Sequence, residues 1–101
     1  MALIDASKTS LSVINQIELL GFNGPPGELL LLEEFVTTHR VLPLSDAVID
    51  QTILIRRTNK IKIPDAIIAA TSLTYGLTLV TRNTKDFEGI AKLKMVDVHK
   101  D

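Results

Sequence analysis

The run Ile63-Pro64-Asp65-Ala66-Ile67-Ile68-Ala69-Ala70, followed through Gly76 by Leu79-Val80-Thr81-Arg82-Asn83-Thr84-Lys85-Asp86-Phe87, constrains the fold more than any other part of the chain. Proline is at home in the first turn of a helix. A helix from Pro64 to about Tyr75 climbs roughly 18 Å at ~1.5 Å per residue. A strand from Leu77 to Arg82 then runs back roughly 20 Å at ~3.3 Å per residue. Asp65 and Asp86 therefore return to the same end, at the helix N-terminus and the carboxyl edge of the strand, where open α/β sheets place their sites. Two carboxylates meeting there point to a hard divalent cation.

The rest of the chain supplies compatible elements. Ser10 to Ile14 is short and apolar enough for a buried strand, and Asn15 to Leu20 reads as a helix ending at Gly21. Asn23-Gly24-Pro25-Pro26-Gly27 is a loop, Glu28 to His39 a second helix, and Val41 to Leu44 a short strand with Pro43 at its end. Ser45 or Asp46 caps a helix running to about Asn59, ahead of the helix at Pro64. After the Leu77 to Arg82 strand come a turn of helix around Thr84 to Phe87, closed by Gly89, and a last strand from Lys94 to Val98. This order predicts a three-layer α/β domain with a parallel sheet, and one domain spanning residues 1–101.

Composition narrows the function classes. The chain has no cysteine, which excludes disulfides, thiolate ligands and the usual structural zinc sites. Net charge is −1, so a nucleic acid has no global positive field to bind and must meet local cations. Arg56, Arg57, Lys60 and Lys62 form such a cluster before Asp65, and Arg82 and Lys85 flank the other acid. They read equally well as phosphate contacts or as a solvated helix end complementing its macrodipole. The N-terminus carries no leader-like pattern and no stretch approaches the ~20 apolar residues that span a bilayer, so a soluble cytoplasmic protein is expected.

Leu29 to Leu32 run consecutively before Phe35 and Val36, and a helix with a ~100° apolar stripe cannot aim all of them at one core. Some are expected to meet another subunit or a partner. The alternative is a helix packed between two layers of its own domain.

Each acid has a plainer reading: Asp65 and Asp86 as first-turn residues favoured by a helix dipole, and Glu18 as a solvent-facing residue of its helix. Convergence favours function, since each follows or faces the carboxyl end of an expected parallel strand. Carboxylates brought together repel unless a proton or a cation neutralises them. Mg²⁺ or Mn²⁺ suits an all-oxygen site, keeps water in its shell and promotes phosphodiester hydrolysis. Thr81 and Asn83 stand beside Asp86, either supporting that site or serving as a strand residue and a cap. His39 and His99 lack metal-ligand spacing and are expected at the surface.

At these residues the chain resembles the PIN-domain ribonucleases, and among them the VapC toxins of toxin–antitoxin pairs. The resemblance rests on Pro64 to Ala70, on Thr81 to Phe87, and on Ser12-Val13-Ile14-Asn15-Gln16-Ile17-Glu18-Leu19-Leu20-Gly21, in that family's order. It implies a PIN-like parallel sheet flanked by helices, a Mg²⁺ or Mn²⁺ requirement, and cleavage of RNA, with Glu18, Asp65 and Asp86 as catalytic and metal-binding acids. It also implies a homodimer or higher oligomer and a small VapB-like antitoxin that blocks the site. The family's opening strand, which ends in an aspartate, has no counterpart before Ser10, so the fold is expected to be N-terminally truncated. Only Ala6 to Thr9 separate Asp5 from the next strand, too few for a parallel crossover of a dozen residues. Without an inner strand, open edges and apolar surface require cover, which again argues for an oligomer. Two functional classes follow: a metal-dependent endoribonuclease, weakened or not, and a catalytically inactive PIN-derived binding or oligomerisation module.

Overall fold

The computed structural model describes residues 3–4, 10–81 and 83–97; the expectations for Asp5, Arg82 and His99 lie outside the described residues. In chain order the elements are β1 (Leu3–Ile4), β2 (Ser10–Ser12), α1 (Val13–Leu20), α2 (Pro26–Thr37), β3 (Arg40–Leu42), α3 (Asp46–Thr58), α4 (Ile63–Thr74), β4 (Leu79–Thr81), a 3₁₀ turn (Thr84–Phe87) and β5 (Met95–Asp97). From β2 onward this is the α/β order that the sequence predicts, with shorter strands; β1 is an additional strand ahead of it.

Local chemistry sets the boundaries. The Asn15 backbone N–H donates to Ser12 Oγ, and the Ser12 N–H donates to Asn15 Oδ1, both at 3.0 Å. This reciprocal cap ends β2 and starts α1 at Val13, earlier than the apolar run implies. Proline in the first turn lets α2 begin at Pro26. Ser45 Oγ accepts the Val48 N–H at 3.3 Å and caps α3. Gly76, at φ 65°, closes α4: its N–H donates to the Leu73 carbonyl at 3.3 Å and that of Leu77 to the Ser72 carbonyl at 2.8 Å. That pairing terminates the helix and turns the chain into β4.

The sheet departs from the expected parallel arrangement in one respect. β2 pairs with β3 and β4 with β5 in parallel, but β1 runs antiparallel to β4, with Leu3 opposite Val80 and Ile4 opposite Leu79. β1 also packs against β2, so it bridges two ladders, β1-β4-β5 and β2-β3. A parallel strand could not be joined to β2 by so few residues, whereas an antiparallel one needs only a turn.

The core lies under the C-terminal half. Val48 and Ile55 of α3, Ala66, Ile68, Ala69 and Ala70 of α4, Leu79 of β4, and Ile61, Phe87 and Ile90 form one buried cluster. The alanines keep the α4 surface low where α3 crosses it, making α3 and α4 the most intimate pair of elements. The α1–α2 half buries little apolar side chain beyond Leu11, Val36 and Leu42. The better-packed part of the molecule is therefore the part that carries Asp65 and Asp86. Among the described residues no buried side-chain polar atom lacks a partner, and no helix is long and apolar enough to cross a membrane.

Candidate acidic site

Asp65 and Asp86 line one cleft of about 320 Å³, together with Lys60, Lys62, Lys85 and Glu88. Asp65 occupies the first turn of α4, where the helix dipole favours an acid. Asp86 is set by the turn after β4: the Asn83 N–H donates to Thr81 Oγ1 and the Asp86 N–H to the Asn83 carbonyl, both at 3.1 Å. Phe87, fully buried, anchors that turn and leaves its neighbour Asp86 exposed. Thr81 and Asn83 thus bear on the site through the backbone that carries Asp86.

The third wall is the loop after α3. Asn59 Nδ2 donates to the Ile55 carbonyl at 3.2 Å, and the Arg56 guanidinium donates to the Ile61 carbonyl. Ile61 is itself buried, so Lys60 and Lys62 project from a loop pinned at both ends. Arg56 holds its own loop, and Arg57 lines the next cleft, whereas Lys60, Lys62 and Lys85 face the acids. Asn59, Ile61, Glu88 and Ile90 also line the acidic cleft. The sequence offers no periodic or motif signal for these four, since a loop conformation brings them together.

Burial pushes the half-buried Asp65 carboxyl above the ordinary aspartate range; the Asp86 charge pushes the same way, and Lys62 opposes them. The site thus penalises its own negative charge, and a cation between the two carboxylates would relieve it. The donors are all oxygen, which fits an ion of the Mg²⁺ or Mn²⁺ kind held by one or two carboxylates and completed by water.

Glu18 sits elsewhere. It is exposed on α1 and lines a separate cleft of about 520 Å³ between α1 and α2, with Glu28, Phe22, Leu31, Leu32 and Phe35. Among the described residues no three acidic or histidine side chains gather closely enough to hold a metal. His39 is half-buried at the end of α2, with Nδ1 2.6 Å from the Phe35 carbonyl and its ring 4.2 Å from that of Phe35, a more enclosed setting than the expected surface position.

Fold and site together define an α/β protein with a pair of carboxylates between a helix N-terminus and the carboxyl end of a parallel strand. The PIN domain pattern matches residues 3–93, and the chain belongs to that family. A toxin–antitoxin complex from Klebsiella pneumoniae contains a chain that is 30% identical, with a TM-score of 0.75 over 88% of this chain and 72% of that one. DNA-bound VapBC from Salmonella typhimurium (24% identity, TM-score 0.72, 87% of this chain and 74% of that one) shares the fold. So does VapBC-1 from nontypeable Haemophilus influenzae (22%, 0.75, 92% and 76%). Comparison with curated protein sequences gives no match.

Proposed function

We propose that this protein is a metal-dependent endoribonuclease of the toxin type, hydrolysing RNA phosphodiesters at the Asp65/Asp86 cleft, and that a small antitoxin protein holds it in check. The observation that carries this reading is the pairing of the two carboxylates in one cleft with Lys60, Lys62 and Lys85 around them. Membership of the PIN family and the likeness to toxin–antitoxin chains support it.

Asp65 and Asp86 would hold Mg²⁺ or Mn²⁺. When bound, such an ion supplies acidification of water and charge neutralisation at a phosphodiester. The lysines receive the flanking phosphates as point charges, and the pinned loop and the buried Phe87 keep both walls in place while the substrate binds. Glu18 is kept as the third acid of this reading on the family resemblance alone, since its side chain lines a different cleft from Asp65 and Asp86. The same loose α1–α2 half, with its apolar cleft, suits the antitoxin, and the chain acts in the cytoplasm where RNA is found.

The test is calorimetric titration with Mn²⁺ on wild type, Asp65→Asn and Asp86→Asn, with RNA cleavage measured on the same samples. Both aspartate variants are expected to lose the heat of binding and to cut RNA at least about a hundredfold more slowly, the scale on which removing a preorganised charge-stabilising group acts. Glu18→Gln is expected to slow cleavage and keep Mn²⁺ binding. A folded wild type that neither binds Mn²⁺ nor cleaves would make the protein a binding module.

A further inference from the structure

The acidic cleft does not end at the acids. Asn59 and Ile90 line both it and a second cleft of about 380 Å³, which contains Arg57. Gln51, Leu73 and Ala91 line both that second cleft and a third of about 330 Å³, which contains Lys92 and Lys94. The three clefts adjoin through these shared lining residues, with α3 and α4 on one side and the chain between the 3₁₀ turn and β5 on the other, and are taken together as one groove.

Charge is distributed unevenly along this groove. Every acid lining it lies in the first cleft; the second and third contain only cations and neutral residues. For a protein of net charge −1 this is a local concentration of positive charge. Lys92 also adopts φ 67°, a left-handed backbone that a side-chain-bearing residue rarely takes, in the loop that forms the outer wall.

We propose that this groove is the path of single-stranded RNA beyond the cleavage site, with Arg57, Lys92 and Lys94 as phosphate contacts of the strand leaving Asp65 and Asp86. This extends the ribonuclease reading and rests on it. The occupant follows from continuity with the acidic cleft and from charge. No aromatic side chain lines the second or third cleft, so bases have no stacking platform and binding is through the backbone. The track is therefore indifferent to sequence and sensitive to salt.

Fluorescence anisotropy in EDTA, where cleavage is silent, tests this with two uridine oligoribonucleotides: a dinucleotide that fits the acidic cleft alone, and one of about ten nucleotides, within the span of small single-strand sites. Lys92→Gln with Lys94→Gln is expected to weaken the longer RNA about tenfold. It should also lower the slope of log K against log salt by about 1.4, at about 0.7 per phosphate contact on a single strand. The dinucleotide should bind unchanged. Arg57→Gln, on the exposed last turn of α3, should act in the same direction and guards against a folding defect in the loop variant. Equal loss for both lengths, no loss for either, or no RNA binding by the wild type would overturn the track. So would poly-glutamate displacing the longer RNA as well as unlabelled RNA does, which would mark the groove as a site for an acidic protein. Length-dependent binding by a wild type that fails to cleave in Mn²⁺ would remove the nuclease reading and leave the track standing.

Discussion

Asp65 shows how a single residue reports on the site. Burial and the Asp86 charge raise its pKa, so the folded protein holds that proton more tightly than the unfolded chain. Its contribution to stability is then full below the ordinary aspartate pKa and is lost as pH rises through the folded value. In EDTA at neutral pH, Asp65→Asn should therefore be more stable than wild type, by less than about 1 kcal/mol because solvent screens a group this exposed. The gap should close on acidification and reverse on adding Mg²⁺, which stabilises only the form that binds it. Melting temperatures of both proteins from pH 3 to pH 8 check this, and a variant less stable than wild type in EDTA at neutral pH would contradict it. The sequence made this pair legible because a helix followed by a strand running back brings Asp65 and Asp86 to one end, although β4 is shorter than the expected strand. It left Glu18 unplaced, because placing α1 requires knowing how the N-terminal half packs.

At the level of elements, most boundaries were legible because side chains near them act locally: Ser45 as a cap, Gly76 as a helix end, Pro64 as a first-turn residue; α2 is an exception, starting at Pro26 inside the expected loop. What was not legible was long-range pairing. The antiparallel direction of β1 depends on a partner some 75 residues away in sequence, since Ile4 pairs with Leu79. Gly89 is another such case, visible in sequence only as the end of a turn. Its φ is 87°, and a Cβ there would lie 3.1 Å from Asn59 Oδ1, at the neck where the first two clefts join. Gly89→Ala combines a left-handed backbone penalty of about 1–2 kcal/mol with a small displacement of the Asn59 side chain. It should lower the urea midpoint and also weaken RNA binding. Asn59→Ala in the same background removes the obstructing side chain and should restore binding while leaving the backbone cost. Failure of that rescue would show that the neck is not what the glycine protects.

For the whole molecule, association keeps one of its two expected grounds. An open sheet edge was one expected reason for an oligomer, beside the leucine run, but β1 already bridges the two ladders. The leucine run of α2 supplies the other reason: Leu31 and Leu32 line the α1–α2 cleft, yet Leu30 and Leu31 remain 61% and 67% exposed, and Phe22 beside them 47%. Fully burying a leucine is worth about 1.5–3 kcal/mol, so covering the remaining exposed two-thirds of both leucines on each of two symmetric copies contributes roughly 4–8 kcal/mol. Association itself costs about 4–15 kcal/mol, so the leucines alone are marginal and an interface of ordinary size has to enlist Phe22 and the cleft walls as well. Light scattering at micromolar concentration should therefore give twice the chain mass for the wild type. Leu30→Lys with Leu31→Lys should give a monomer of unchanged helical content. A monomeric wild type would mean that this apolar face awaits a different protein, and an antitoxin fragment that covers it should then raise the melting temperature in proportion to the logarithm of its concentration.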